Sequence, residues 1–191
     1  MKYHLDDVLK LLSSDCDHRI IKLPKETKGA ACTALMGIEH INNDTELLIA
    51  NSDQILDRDA LNAAIAHFRA EKADAGVICF NSVHPRWSYA CTDHRGRVTE
   101  LAEKHPISNH AIAGVYYFKE GRSFVKSAFD SILKDARVDG MFYVAPTMNE
   151  LILNGENVLC YQIPNESYHS FYSPQRIRDF CTKGNSMMDV N

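Results

Sequence analysis

An aspartate follows one of the most apolar runs of the chain. The run is Leu48-Ile49-Ala50, and Asp53 comes three residues after it. A carboxylate at the end of a buried strand suits Mg²⁺, which keeps several waters and takes one or two protein carboxylates together with phosphate oxygens. A turn or a helix cap would also explain Asp53, and capping alone accounts for the nearby Asp57 and Asp59. Asp53 is the candidate metal ligand of the sequence.

A glycine opens the first strong helical pattern after a strand-like run. Gly29 precedes apolar residues at helical spacing and follows the strand-like segment Ile20–Leu23. Glycine lets the backbone lie close to a flat ligand, and the free N–H groups of a helix N-terminus attract anions. The alternative is that Gly29 only permits the turn.

An acid and a base stand together after another predicted strand. Glu103 and Lys104 follow Val98–Ala102 and precede Pro106. A lysine there can reach a phosphate as a point charge, and a glutamate can accept hydrogen bonds from hydroxyl groups. The alternative is an exposed pair on an edge strand.

Several other chemistries lose support. The nine histidines include no helical i, i+4 pair, and the six cysteines include no C-x-x-C pair. The sequence has no G-x-S-x-G, G-x-x-x-x-G-K-[ST] or G-x-G-x-x-G motif, which argues against the hydrolase, P-loop and dinucleotide classes. The cysteines are typical of small hydrophobic residues in a reducing compartment, and we expect a cytoplasmic protein.

The amino-acid composition and the length of the chain limit its possible folds and binding partners. The chain has 191 residues, of which 45% are hydrophobic and 24% charged, and 21 cationic against 25 acidic side chains leave a net charge of −4. That balance argues against a nucleic-acid partner, because phosphate backbones require a clear excess of cations. No apolar run approaches the roughly 20 residues that cross a bilayer, so we expect no membrane partner. The length suits one core.

Short apolar runs alternate with helical patterns over the first half of the chain. Runs that are apolar on both faces and joined by helices indicate a parallel sheet covered on both sides. In the second half, two strand patterns flank His94-Arg95-Gly96 as a hairpin, and His110–Phe118 reads as a long strand. We therefore predict an α/β fold with a mixed, mostly parallel sheet flanked by helices. The predicted domain covers 1–182, followed by a flexible tail at 183–191.

Five segments in this order resemble the nucleotidyltransferases that make nucleotide sugars, with glucose-1-phosphate thymidylyltransferase and its relatives as the nearest models. The segments are Pro24 to Ala31 with its Lys-Gly-Ala-Ala end, Leu48 to Asp53, Glu103-Lys104, Ser108 to Phe118, and Tyr168 to Pro174. The resemblance covers residues 20–180. It implies a Rossmann-like α/β fold and transfer of a nucleotidyl group from a nucleoside triphosphate to a sugar 1-phosphate, with release of pyrophosphate, in nucleotide-sugar and surface-polysaccharide biosynthesis.

The resemblance also implies roles for individual residues and a cofactor. Phosphoryl-type transfer needs mainly positioning and charge neutralisation, for which Mg²⁺ and a few cations suffice. The implied site comprises the nucleotide-binding Lys28 and Gly29, the Mg²⁺ ligand Asp53, the substrate-binding Glu103 and Asn109, and the catalytic, phosphate-binding Lys104.

Two departures from the family pattern change what we expect of the chain. The family begins with a strand and a Gly-rich loop, G-x-G-[ST]-R, whereas Tyr3–Leu12 here reads as a helix that normally comes after that loop. The family also has a second metal carboxylate where this chain has Ser170, and a glycine where it has Tyr172. We therefore expect little or no pyrophosphate release by these 191 residues alone.

Two other functions remain open. A glycosyltransferase of similar fold would use Asn51-Ser52-Asp53 as its metal motif, although that motif normally reads D-x-D. A non-catalytic nucleotide- or sugar-binding domain would have lost turnover with the Gly-rich loop. The aromatic residues Tyr168, Phe171 and Tyr172 are candidates for an oligomer interface.

Overall fold

The structure is a computed structural model and describes residues 5–12 and 17–188. Its helices are α1 (Leu5–Leu12), α2 (Ala30–Leu35), α3 (Ile38–Ile41), α4 (Arg58–Ala70), α5 (Gly121–Leu133), α6 (Val144–Thr147), α7 (Asn149–Leu153) and α8 (Pro174–Met188). Its strands are β1 (Leu47–Ala50), β2 (Gln54–Leu56), β3 (Ala75–Asn81), β4 (Ser88–Thr92), β5 (Val98–Glu103), β6 (His110–Phe118), β7 (Val158–Gln162) and β8 (Tyr168–Ser170).

The main sheet is mixed, which confirms the predicted α/β class. Its strand order is β5-β4-β6-β3-β7, with β1 also paired to β6, and β2 and β8 form a separate two-stranded sheet. The expectation that the sheet is mostly parallel is wrong, because β3–β7 is the parallel pair and the other pairings are antiparallel. The physical reason is that β6 lies between β1 and β3 and runs against both, so these two strands share a direction without being neighbours.

Strand β6 changes partner along one of its edges. Its C-terminal half pairs with β1, ending at Ala50 opposite Val115, and its N-terminal end pairs with β4, where Tyr89 lies opposite Ala111. The two pairings are four residues apart, which is roughly 13 Å of strand. On the opposite edge, β6 bulges against β3, because three of its residues face the single residue Ile78. The bulge lies at the same level as the change of partner.

Two apolar clusters cover the two faces of the sheet. One cluster contains Phe118 and Phe124 and packs under α5, α6 and α7. The other contains Phe68 of α4 stacked on Tyr117 of β6, with ring centroids 5.3 Å apart. Consecutive residues of β6 thus serve opposite faces, as the pleat of a strand requires.

Some local predictions are confirmed and others are wrong. The hairpin of β4 and β5, the long strand β6 and the cap of α4, where the Asp57 side chain accepts from Ala60 N at 3.0 Å, are confirmed. Ile20–Leu23 is not a strand but an exposed segment without regular structure. The helical pattern that follows Gly29 forms two helices, α2 and α3, with Gly37 between them.

The chain ends also differ in part from the prediction. The N-terminal helix is confirmed over Leu5–Leu12, while Tyr3 and His4 lie outside the described residues. The last helix, α8, begins at Pro174 and continues to Met188, and residues 189–191 lie outside the described part. Among the helices described here, none has both the length and the apolar character that a bilayer crossing requires.

A polar cluster fixes the beginning of β1 to α4 and β6. Arg69 donates to both carboxylate oxygens of Glu46, at 2.8 and 2.5 Å, and Tyr117 Oη donates to Glu46 Oε1 at 2.8 Å. These hydrogen bonds, of which the one from Arg69 has the largest effect, lower the pKa of Glu46 to about 2. The charged form of Glu46 therefore stabilises the fold above its ordinary pKa near 4.5, and this contribution is lost as the pH falls towards 2.

We predict a pH-dependent effect of Glu46→Gln. The variant keeps neutral hydrogen bonds but loses the charge, so its Tm at pH 7 should be lower than that of the parent chain, by a modest amount because the pair is partly exposed. The Tm difference should narrow as the pH is lowered from 4.5 to 3. Thermal unfolding followed by circular dichroism measures it, with Glu39→Gln on α3 as the control. A Tm difference that stays constant with pH would show that the charge of Glu46 is not responsible.

Candidate active site

Gly114 lies in the gap along the edge of β6 between its pairing with β1 and its pairing with β4, and we call this gap the crevice. The backbone of Gly114 has φ +62°, and its carbonyl accepts from Asn51 N at 3.0 Å and from Gln54 Nε2 at 3.1 Å. A Cβ at this position would overlap the Asn51 amide and lie 2.5 Å from Gln54 Oε1. The residues at the end of β1 therefore approach β6 closely only because position 114 is glycine.

Asp53 lies between the two residues that contact Gly114. Its side chain is exposed, and its carbonyl accepts from Phe171 N at 2.8 Å. Gln54, the next residue, lies opposite Ser170 in the β2–β8 pair. Burial raises the pKa of the Tyr168 hydroxyl to about 12, and the charge of Asp53 contributes to this shift. The structure thus brings Asp53 beside Ser170, the position where the sequence comparison with the family lacked a second carboxylate.

Asp53 is the carboxylate that the structure places next to Ser170 as a candidate ligand of Mg²⁺. In the described residues, no group of three or more His, Cys, Asp or Glu could hold a metal. Mg²⁺ is commonly held by one or two carboxylates plus phosphate oxygens of the substrate. The residues present therefore fit a Mg²⁺ that arrives with a nucleotide, with Asp53 as its protein ligand, and do not form a cage for the free ion.

Glu103 is the last residue of β5, at the open end of the β4–β5 hairpin. It lies opposite Ser88, whose hydroxyl donates to Glu103 Oε2. Burial raises the pKa of Glu103, and the Ser88 hydrogen bond and the Lys104 charge oppose that shift. The pKa of the buried Tyr116 is raised by burial and then by the charge of Glu103. Glu103 is a half-buried acceptor with a fixed orientation, rather than the solvated edge residue of the alternative reading.

Lys104 is fixed by three interactions at its ammonium group. Nζ donates to Tyr143 Oη at 2.9 Å, lies 5.1 Å from the centre of the Tyr143 ring, and lies 3.4 Å from Asp139 Oδ2. The Tyr143 hydrogen bond, and then Asp139, raise the pKa of Lys104. The backbone of Lys104 is in the left-handed region, with φ +54°, which non-glycine residues rarely adopt and which is enriched at functional sites. Its side chain remains 41% exposed and accessible to a ligand.

A tight turn presents Asp139 to Lys104. Val138 and Met141 exchange backbone hydrogen bonds at 3.0 Å, and Asp139 and Gly140 between them have φ values of +51° and +75°. Positive φ at both central positions is the signature of a type I′ turn, for which Asp-Gly is a preferred sequence.

The residue after this turn, Phe142, clamps the loop that contains Gly29. Phe142 N donates to Lys28 O at 2.7 Å, and Ala31 N donates to Phe142 O at 3.0 Å. Gly29 has φ 119° and ψ 174°, a region essentially reserved for glycine. A Cβ at Gly29 would overlap the Phe142 carbonyl oxygen and lie 2.6 Å from its nitrogen. The glycine is therefore required by protein packing, whether or not a base binds beside it. The Lys28 side chain is exposed.

Asn109 is not brought to the crevice. It is exposed, it precedes β6, and its carbonyl accepts from Ser82 N at 3.1 Å. Five residues of strand, or roughly 16 Å, separate it from Gly114. The structure thus places Asp53 just beyond the end of β1 and Glu103-Lys104 at the end of β5, beside the two strands that border the crevice. Lys28 and Gly29 are joined to Lys104 through Phe142 and Tyr143.

Sequence reasoning did not single out the partners that hold these residues. They are Asn51, Gln54, Ser88, Asp139 and Tyr143. The Asp139-Gly140 dipeptide was a readable turn signal, and the alternation along β4 could have placed Ser88 opposite a residue of β5. The contacts of Tyr143 and Gln54 depend on long-range packing, which leaves no local signal.

Comparison with known proteins adds an independent line of evidence. The family model described as "Nucleotidyl transferase" matches residues 10–143, which is more than two thirds of the chain. The chain belongs to the nucleotidyl transferase family. The family resemblance inferred from the motifs is thereby confirmed. A search of curated proteins found no significant match.

Solved structures of family-like enzymes share the fold of this nucleotidyl transferase chain. A nucleoside-diphosphate-sugar pyrophosphorylase from Vibrio cholerae RC9 is 21% identical with a TM-score of 0.77, over 93% of this chain and 76% of that one. A Bacillus anthracis protein assigned as a glucose-1-phosphate thymidylyltransferase, solved in complex with sucrose, is 18% identical with a TM-score of 0.65, over 93% and 71% of the two chains. The inositol-1-phosphate CTP transferase of T. maritima is 13% identical with a TM-score of 0.67, over 90% and 66%.

We predict that Gly29→Ala destabilises the chain far more than Gly96→Ala. Both glycines have positive φ, but the space beside Gly96 is open, whereas a Cβ at Gly29 meets backbone that cannot rotate away. We expect a loss of about 1 kcal/mol for Gly96→Ala and of about 3 kcal/mol or more for Gly29→Ala. Equilibrium urea unfolding measures both, and equal losses would mean that the Gly29–Phe142 contact is not tight.

Proposed function

We propose that the chain provides the acceptor-side machinery for transfer of a nucleotidyl group from a nucleoside triphosphate to a sugar 1-phosphate, with release of pyrophosphate. Membership of the nucleotidyl transferase family supports the general reaction. The observation that carries the proposal is that Glu103 and Lys104 are held side by side at the point where β6 changes partner.

The two residues suit the two ends of a sugar 1-phosphate. In the proposed reaction, an oxygen of the acceptor phosphate attacks the α-phosphorus of the triphosphate and pyrophosphate leaves. The ammonium of Lys104 would hold the acceptor phosphate by a charge-assisted contact, which is about twice as strong as a neutral hydrogen bond. Glu103, fixed by Ser88, would accept from sugar hydroxyls and so contribute selectivity.

The nucleotide would lie towards Gly29 and Asp53. The exposed Lys28 is available for a phosphate, and Gly29 lets the loop pass close to the backbone of Phe142. Asp53 would hold Mg²⁺, which when bound neutralises phosphate oxygens of the triphosphate. The protein's own contribution is positioning, since phosphoryl-type transfer requires little covalent chemistry from side chains.

Details of the substrates and setting extend this proposal. The names of the neighbouring enzymes, which include sugar and inositol-phosphate nucleotidyltransferases, favour a small organic phosphate as acceptor. We propose that the chain acts in the cytoplasm, where it supplies nucleotide sugars for the synthesis of surface polysaccharides.

A non-catalytic nucleotide- or sugar-binding domain is the second candidate. Two observations favour it. Asp139 lies 3.4 Å from the ammonium of Lys104 and offsets part of its charge, and Ser170 stands beside Asp53 where a carboxylate would complete a metal site. Binding experiments test the site under either candidate, because they do not depend on turnover.

We predict that Lys104→Ala weakens the binding of glucose 1-phosphate roughly tenfold or more, the scale of a lost hydrogen bond to a charged group. Isothermal titration calorimetry measures the affinity. Lys126→Ala, which removes an exposed lysine of α5, is the matched control and should leave affinity unchanged. If Lys104→Ala binds glucose 1-phosphate as tightly as the parent chain does, Lys104 is not part of the binding site.

We predict that Asp53→Asn reduces Mg²⁺-dependent binding of a nucleoside triphosphate, by roughly tenfold, while leaving the Tm unchanged because the side chain is exposed. Calorimetric titrations with and without Mg²⁺ measure the metal-dependent part of the affinity. Asp59→Asn in the first turn of α4 is the control. If the metal-dependent part persists in Asp53→Asn, another residue holds the ion.

A further inference from the structure

The hydroxyl group of Tyr143 keeps a hydrogen that no protein group uses. Its oxygen accepts a hydrogen bond from the ammonium of Lys104 at 2.9 Å. A phenol hydroxyl both accepts and donates, so its own hydrogen is left for a further acceptor. In the parts of the chain that the structure describes, the hydroxyl of Tyr143 donates to no such acceptor. The half-buried Tyr143 therefore offers a free donor beside the charged end of Lys104.

Other tyrosine hydroxyls of the protein are already used. Three buried tyrosines each donate to a protein acceptor: Tyr89 to the His84 carbonyl at 2.6 Å, Tyr117 to Glu46 Oε1 at 2.8 Å and Tyr168 to Gln54 Oε1 at 3.3 Å. The expectation that Tyr168 belongs to an oligomer interface is wrong, because the residue is 8% exposed. Tyr143 differs from all three, since it accepts from a cation and keeps its hydrogen.

The side chains of Tyr143 and Lys104 come from backbone that is held in place. Phe142, before Tyr143, is hydrogen-bonded through its N–H and its carbonyl to the chain at the beginning of α2, and Val144, after it, is 3% exposed. Lys104 N donates to the Trp87 carbonyl at 3.0 Å. The hydroxyl and the ammonium are therefore positioned together before a ligand binds, which lowers the entropic cost of binding.

Asp139 is the replaceable partner of the ammonium. Its carboxylate lies 3.4 Å from Lys104 Nζ, and its side chain is 71% exposed. Exposed ion pairs of this kind are weak, because water and salt screen them. An incoming anion therefore competes with Asp139 for the ammonium, while Tyr143 keeps its place.

We propose that Tyr143 donates its hydroxyl hydrogen to the acceptor phosphate that Lys104 binds, and that Asp139 competes with this phosphate for the ammonium. The inference rests on the proposed function, in which Lys104 holds the phosphate, and adds a second donor to that contact. A phosphate group has several strong acceptor oxygens, so two donor atoms 2.9 Å apart can both bond to it. A hydroxyl that donates to an anion forms a charge-assisted hydrogen bond.

Tyr143→Phe tests the second donor, because it removes the hydroxyl and keeps the ring. It should weaken the binding of glucose 1-phosphate about tenfold, the scale of a lost hydrogen bond to a charged group. Inorganic phosphate should lose affinity by the same factor, since the lost contact is to the phosphate. Tyr161→Phe, which changes a half-buried tyrosine beside His67 on β7, is the matched control and should bind like the parent chain. NMR titration of the isotope-labelled chain measures these affinities.

A double-mutant cycle separates a direct contact from an effect through Lys104. If Tyr143 donates to the phosphate, Tyr143→Phe still weakens the binding of glucose 1-phosphate in a chain that carries Lys104→Ala. If Tyr143 only holds the ammonium in place, Tyr143→Phe has no effect in that background, and the proposal is overturned.

Asp139→Asn tests the competition for the ammonium. Asn-Gly suits a type I′ turn as well as Asp-Gly does, so the turn is retained. The variant should bind glucose 1-phosphate about threefold more tightly, because it removes an exposed ion pair that the phosphate has to replace. Asp135→Asn, which removes a carboxylate paired with Arg137, is the control and should leave the affinity unchanged. Equal or weaker binding by Asp139→Asn overturns the competing role of Asp139.

The outcomes separate this inference from the function on which it rests. If Lys104→Ala weakens binding while Tyr143→Phe and Tyr161→Phe bind equally well, the second donor is wrong and the phosphate site at Lys104 remains. If Lys104→Ala also binds glucose 1-phosphate like the parent chain, the site itself is wrong and the inference falls with it. Circular dichroism verifies that each variant is folded. If Tyr143→Phe does not fold, the ring NMR signals of Tyr143 in the parent chain decide instead, and signals that stay unchanged on addition of inorganic phosphate overturn the proposal.

Discussion

Strand β6 cannot pair with β1 and β4 at the same place, and the positions of the candidate site residues follow from this constraint. Pairing with β1 ends at Val115, and pairing with β4 involves Ala111. Gly114, with its positive φ, lies between the two and lets the residues after β1 approach the strand. The end of β1 and the Ser88–Glu103 pair consequently face one crevice, although they are far apart in sequence.

A second constraint connects the crevice to the loop of Gly29. The turn at Asp139-Gly140 sends the chain back so that Phe142 bonds to the Gly29 loop and Tyr143 to Lys104. One short segment therefore sets the distance between the two cations that the site offers to phosphates, Lys28 and Lys104. The same turn brings a carboxylate to Lys104 and makes the site less cationic than lysine alone would make it. The partial neutralisation of Lys104 by Asp139 favours the candidate in which the chain binds its ligands without catalysing transfer.

The sequence was sufficient for features that depend on local pattern. The strand of His110–Phe118, the hairpin around Gly96 and the cap at Asp57 each have a periodicity or a turn residue of their own. Strand direction was not predictable in this way, because an apolar run such as Leu48-Ile49-Ala50 is equally compatible with parallel and antiparallel neighbours. Ile20–Leu23 has the composition of a strand but no partner strand in the described part of the chain. The partners of Lys104 could not be found because they lie 35 and 39 residues away.

The central claim is that the crevice at the partner change of β6 is where an acceptor phosphate binds. The most direct measurement is an NMR titration of the isotope-labelled chain with glucose 1-phosphate. We expect the largest shifts of backbone amides at Asn51 to Gln54, Glu103-Lys104, Gly114 and Tyr143, all converging on one dissociation constant. Shifts confined to other surfaces, or an absence of shifts at Lys104 and Gly114 at saturating ligand, would contradict the account.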